Sequence, residues 1–154
     1  LPQMIAKLII VGSGPEETNL KLLARKLGVD GSIEWRGFVP KSTDVIAAIK
    51  GAHVFILPSA GEGFGIVTLE SMACGTPYVN SDISPTREVT ASGVGGVLYP
   101  VGNYQRLAVD ILRFLRDETA RKNAAHDGRV QAEKFNLPII IDRFRACLES
   151  TSAQ

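Results

Sequence analysis

Lys7-Leu8-Ile9-Ile10-Val11-Gly12-Ser13-Gly14-Pro15 begins as a short apolar run rich in β-branched residues and breaks into a turn of glycine and proline. Such runs suit strands buried on both faces of a parallel sheet. Pro15 fits a first helical turn, and Glu16 and Glu17 complement the positive end of a helix. Leu20, Leu23, Ala24 and Leu27 then recur at helical spacing up to Gly28, which is placed to cap the C-terminus. The same alternation runs on. Residues 32–36 read as a second strand closed by Gly37, and Ser42 or Thr43 caps a helix carrying Val45, Ile46 and Ile49. Residues 53–57 form a buried strand stopped by Pro58, and a helix through Ile66, Leu69, Met72 and Ala73 ends at Gly75. A strand at 76–80, a short helix at 85–90 and a strand at 96–99 follow, then three helices near 104–116, 118–133 and 137–149. The last carries Ile140, Ile141, Phe144, Cys147 and Leu148 on one stripe. Strands alternating with helices predict a three-layer α/β/α, Rossmann-like fold with a mostly parallel sheet. Ligands of such folds bind beyond the carboxyl ends of the strands, which directs attention to the loops after residues 11, 36, 57 and 80.

Composition narrows the function classes. The 154 residues suit a single domain, and 45% hydrophobic with 21% charged residues is the balance of an ordinary globular protein. Seventeen basic against sixteen acidic side chains give a net charge of +1, without the basic field that nucleic-acid binding needs. The longest apolar runs fall far short of a membrane span, and Leu1-Pro2-Gln3 lacks the pattern of an export signal. The two cysteines, Cys74 and Cys147, form no C-x-x-C pair, so reduced thiols and a cytoplasmic location are expected.

Gly12-Ser13-Gly14 after a strand invites a dinucleotide reading, but the third glycine of G-x-G-x-x-G falls on Glu17, whose charge opposes a pyrophosphate. Ser13 therefore reads as part of a tight turn, while Gly12 still lets a ligand approach the backbone. The informative segment is Pro58-Ser59-Ala60-Gly61-Glu62-Gly63-Phe64-Gly65-Ile66-Val67-Thr68-Leu69-Glu70. Its glycines let a ligand come close to exposed N–H groups, and the following helix N-terminus favours negative charge. Glu62 lies in the loop. Glu70 lies in the second helical turn on the side of Ile66, taken as the packing face, where a carboxylate needs hydroxyl or N–H donors. Two acceptors flanking an amide-lined pocket suit a nucleotide sugar, with diols at each end and phosphate between.

The stretch Glu62 to Glu70 resembles the E-x7-E signature of the retaining family 4 glycosyltransferases, the group 1 transferases. Residues 9–15, Trp35-Arg36-Gly37-Phe38-Val39, Cys74-Gly75-Thr76-Pro77-Tyr78-Val79, Pro85-Thr86-Arg87-Glu88-Val89 and Gly96-Val97-Leu98-Tyr99 are similar to its other motifs, in family order. The resemblance implies the C-terminal, donor-binding half of a GT-B enzyme, with the active site in the cleft between two Rossmann-like halves. It implies that Glu62 is catalytic and faces the donor sugar, and that the amides of Gly63, Phe64, Gly65 and Ile66 approach sugar and diphosphate. Glu70 would accept from the ribose hydroxyls, and Gly12, Phe38 and Val39 would line the donor site, with Glu88 a further candidate. The family half opens with one more strand and helix, carrying an arginine and a lysine on the diphosphate. These and the acceptor-binding half are absent from residues 1–154, which are therefore expected to be a fragment inactive alone.

The expected partners are a UDP- or GDP-hexose donor, the missing N-terminal domain and a glycan or lipid acceptor; no cofactor, metal or nucleic acid is expected. His53 in a strand pattern and His126 on a polar helix face offer no metal or nucleophile constellation. Cys74 reads as a core thiol, and Arg121, Lys122, Arg143 and Arg145 as solvated faces. One rival is a glycoside hydrolase using Glu62 and Glu70, which would need both carboxyls aimed at one glycosidic oxygen. The other is a non-catalytic nucleotide- or sugar-binding module, which would use the same pocket.

Overall fold

The computed structural model describes residues 6–151, and its compact units divide between Val45 and Ile46. In the first unit, β1 (Leu8–Val11) pairs in parallel with β2 (Ile33–Gly37), with an irregularity between Ile10 and Val11. Between them runs α1 (Glu17–Lys26), closed by Gly28 in the left-handed region at φ +68°. The Gly28 and Val29 amides donate to Arg25 O and Ala24 O, both at 3.0 Å, which satisfies carbonyls that the helix end leaves free. Lys21 stands over the Trp35 ring, 5.4 Å from its centroid, and links the helix to β2. Contrary to the reading of 7–11 as buried on both faces, Leu8, Ile9 and Val11 are 37–42% exposed. Within the first unit, β1 shares a two-stranded sheet with β2, and α1 is the one α-helix among the described residues that lies wholly in that unit, so few side chains cover the faces of β1.

The second unit is the more heavily packed. Helix α2 (Ser42–Lys50) crosses the division, and its first turn is formed by the Asp44 amide donating to Lys41 O. Ser42 thus lies within the helix rather than capping it. Three parallel strands follow in the order β3 (Phe55–Leu57), β4 (Tyr78–Ser81), β5 (Gly96–Tyr99). Helices α3 (Ile66–Cys74) and α4 (Ser84–Val89) accompany them, and α5 (Tyr104–Arg116), α6 (Glu118–Glu133) and α7 (Leu137–Thr151) complete the chain. Strand β4 is buried along its whole length and sorts its side chains by the period of two. Tyr78 packs with Met72 of α3 and Val89 of α4, while Val79 packs with Tyr99 and with Phe114 of α5. Helices on both faces of a parallel sheet make the α/β, Rossmann-like layering expected from the sequence.

Some placements differ from expectation. His53 is exposed and precedes β3, which starts only at Phe55. Ile140, Ile141 and Phe144 are exposed on α7, and the side chains of Cys147 and Leu148 lie outside the described residues. Cys74, half-buried at the last turn of α3, has its thiol pushed up by desolvation. No helix among the described residues is long and apolar enough to cross a membrane.

Three carboxyls are held below their ordinary values of 3.8–4.5 by cations: Glu34 by Lys7 and Arg36, Asp82 by Arg87, and Glu118 by Lys122. A depressed folded value means stability that is present above the unfolded value and lost as pH falls through the folded one. All three are solvent-accessible, so each effect is small and salt-sensitive. The unfolding temperature should therefore fall as the pH is lowered below about 4.5, with a shallower slope in 1 M than in 0.05 M NaCl, as followed by circular dichroism. A slope independent of salt would contradict this origin.

Candidate functional site

The first unit brings its predicted site residues to one end of its paired strands. Gly12 follows β1 with φ +123°, open to residues without a Cβ penalty in space but not in conformation, and its N–H donates to Gly37 O at 2.7 Å. Gly37 turns at φ +59°, and beyond it Phe38 is 75% exposed while Val39 is half-buried. An exposed phenyl ring beside open backbone is a surface on which a flat, apolar ring can lie.

In the second unit the loop from Pro58 to Gly65 leaves the carboxyl end of β3 and turns into α3. Gly65 is the N-cap in the left-handed region at φ +83°, and no side chain caps the helix. The Thr68 and Leu69 amides donate back to Gly65 O at 2.9 and 3.4 Å. An α-helix leaves its first amides without intrahelical partners, so an N-terminus with no side-chain cap presents N–H donors and a partial positive charge to an anion. Glu62 is half-buried, and its Oε1 accepts from the Ser59 hydroxyl at 2.5 Å. Ser59 orients the carboxylate that the sequence reading singled out, and was itself missed; its signal was a hydroxyl three residues before the glutamate in the same loop. Phe64, 43% exposed, meets Phe135 edge-on with ring centroids 6.2 Å apart, tying the loop to the residues after α6.

Glu70 is half-buried in the second turn of α3. Ile66, however, is 63% exposed, so the helix does not pack on the Ile66 side. Thr68, Ser71 and Met72 are the buried positions instead, because α3 lies on β4 and α6 through that stripe. Glu88 is exposed on α4, next to Arg87, whose Nε and guanidinium Nη2 donate to Asp82 at 2.5 and 2.7 Å. A cavity of about 450 Å³ runs beside that ion pair, lined by Asp82, Arg87, Ser92 and parts of β5, and none of the predicted site residues lines it. Among the described residues no group of three or more His, Cys, Asp or Glu could hold a metal ion.

A glycine-rich loop feeding a helix N-terminus, with one glutamate in the loop and another in the second turn, stands at the end of a parallel strand. The family profile described as glycosyl transferases group 1 matches residues 3–131. The chain belongs to this family. The domain is 30% identical over 140 residues to N-acetyl-alpha-D-glucosaminyl L-malate synthase of Bacillus anthracis, covering 90% of this chain and 36% of that protein. It is 31% identical over 147 residues to a phosphatidyl-myo-inositol mannosyltransferase of Mycobacterium leprae, covering 95% and 38%. Among solved structures, Anabaena HepE in complex with UDP-glucose is similar at a TM-score of 0.81 and 25% identity, over 94% of this chain and 41% of that one. The C-terminal domain of the group 1 protein LpcC from Francisella tularensis shares the fold, with a TM-score of 0.75 at 20% identity over 84% of this chain and 69% of that one. The glycosyltransferase domain thus corresponds to the C-terminal half of a GT-B enzyme. It spans 36–39% of the length of the first curated relatives.

Proposed function

We propose that this domain binds the nucleoside-diphosphate-sugar donor of a retaining hexosyl transfer to a sugar, lipid or polysaccharide acceptor. The observation that carries the reading is the N-terminus of α3, without a side-chain cap, opening on a glycine loop whose Glu62 is oriented by Ser59. The likeness to HepE, crystallised with UDP and with UDP-glucose, supports it. In the transfer, negative charge grows on the leaving diphosphate, and the amides of Gly63, Phe64, Gly65 and Ile66 with the α3 dipole oppose it. Glu62 accepts from the hydroxyls of the donor sugar and holds the anomeric carbon in line as oxocarbenium character develops. Glu70 takes the ribose hydroxyls of the same donor. Hydrolysis by a Glu62 and Glu70 pair fits less well, because one carboxylate is in the loop and the other in the second turn of the helix.

The division of labour is testable by calorimetry on the full-length enzyme with its nucleoside diphosphate and its sugar nucleotide. Removing a charged acceptor costs roughly 1.5–3 kcal/mol, about 10- to 150-fold in affinity. Glu70→Gln should weaken both ligands, and Glu62→Gln mainly the sugar nucleotide. Equal losses for both ligands in both variants would falsify this assignment, and no loss in either would return the glutamates to solvated surface groups.

A further inference from the structure

Asn80 is wholly buried on β4, and its amide is only half satisfied. The Nδ2 group donates to the Thr68 hydroxyl at 2.9 Å, while Oδ1 has no partner among the described residues. Reversing the amide moves the unpaired group from oxygen to nitrogen without removing it, since one hydroxyl faces one amide. A buried polar atom left without a partner is a cost that a leucine or valine at this position would avoid. What an amide supplies and an apolar side chain does not is a directional bond to one named atom. That atom belongs to the first turn of α3.

The rest of α3 is held by other means. Met72 packs in the core with Tyr78 and Val89, and the Ser71 hydroxyl donates to Thr76 O at 2.7 Å. At the N-terminal turn, Phe64 and Ile66 are exposed, Gly65 has no side-chain cap, and only Leu69 at the end of the turn packs on the core cluster. Thr68 is the fully buried residue of that turn, and its own amide donates to Gly65 O at 2.9 Å. Asn80 also lies opposite Leu57, the last residue of β3, from which the Glu62 loop departs. One bond therefore joins the sheet, at the root of the loop, to the turn that carries the free amides.

We propose that Asn80 is a positioning residue: through Thr68 it fixes the first turn of α3 against β4 and so aims the amides of that turn at the donor diphosphate. The last clause rests on the donor-binding reading above; the tie between sheet and turn does not. Stability alone does not require the pair, because replacing both partners by apolar groups of similar shape is close to neutral for folding. The bond instead restricts the turn to one orientation, which matters for a group that must meet charge at hydrogen-bond distance.

The test uses the full-length enzyme with Thr68→Val, Thr68→Ser, Asn80→Leu and the double variant Thr68→Val/Asn80→Leu. Hydrogen exchange of the hydrogen-bonded amides of residues 68–70 is compared with that of α5, and affinities are measured for UDP, GDP and the matching nucleosides. Thr68→Val and the double variant should exchange the 68–70 amides at least 10-fold faster with α5 unchanged. Their affinity for the tighter diphosphate should fall 5- to 20-fold with the nucleoside unaffected. Thr68→Ser, which keeps the hydroxyl, should retain both properties, and it keeps the comparison open if Asn80→Leu fails to fold. Unchanged exchange in Thr68→Val overturns the positioning role. Faster exchange with undiminished diphosphate affinity overturns the link to the ligand. Wild-type enzyme that binds neither UDP nor GDP counts against the donor reading, while the exchange result still decides whether Asn80 holds the turn.

Discussion

Gly95→Ala is expected to destabilise the domain by roughly 2–5 kcal/mol and to lower its unfolding temperature by roughly 5–15 °C. Two effects act together. Gly95 stands at φ +87°, where an L side chain is strained, and a Cβ built there runs into the Cα and backbone N of Gly128. Gly128 lies within α6, so the obstacle is a helix backbone packed against the sheet rather than the free end of a side chain. Such a collision is relieved only by moving α6 away from β5, which also disturbs the contact of Gly128 with Met72 of α3. The reciprocal change behaves differently. A Cβ on Gly128 meets Gly95 Cα at 3.4 Å and Met72 Cγ at 3.6 Å, ordinary contact distances, and alanine favours a helix interior. Gly128→Ala should therefore be neutral or stabilising by up to about 1 kcal/mol. Thermal or urea unfolding of the two variants checks the contrast, and equal destabilisation by both would show that the close approach of α6 is misplaced.

The features that could be read in the chain are those whose cause lies within a few residues. Gly28 and Gly75 end α1 and α3 in left-handed conformations, as helix-terminating glycines do, and both positions stand out in the sequence as glycines after apolar periodicity. The parallel pairing of β3, β4 and β5 follows from strands separated by helices. What local pattern does not contain is which face of an element finds a partner. Leu8 and Ile9 have the composition of a doubly covered strand, yet their burial depends on a neighbour for β1. Ile66 matches the helical stripe by type, but α3 is rotated so that Thr68 and Met72 meet the sheet. The ties that shape the site are tertiary: Asn80 to Thr68 joins a strand to a helix, and Phe64 to Phe135 joins the loop to the end of α6. Neither has a signature in spacing. The two candidate glutamates stand out in the sequence because the glycines around them have few other uses, whereas Ser59 reads as any loop serine and is distinguished only by its bond to Glu62.

That bond grades the expected consequences of changing the loop. In the full-length enzyme, Glu62→Gln should lower kcat/KM by about 100-fold or more, the loss associated with removing one preorganised group that acts on developing charge. Glutamine keeps the length and one acceptor oxygen of the side chain, so the loss reports the missing charge rather than a hole in the loop. Ser59→Ala leaves the charge in place and removes only the hydroxyl that donates to Oε1 at 2.5 Å. The carboxylate then samples more rotamers, and the productive one must be selected at each turnover, which costs about the 1 kcal/mol of one hydrogen bond and roughly 5-fold in rate. With Ser59 acting through its bond to Glu62, as proposed, adding Ser59→Ala to Glu62→Gln should lower the rate little further, whereas independent roles would multiply the two losses. Steady-state kinetics on the two single variants and the double variant decides between these outcomes. A Ser59→Ala enzyme as slow as Glu62→Gln would place the serine itself against the substrate, and a Glu62→Gln enzyme of full activity would remove the carboxylate from the reaction.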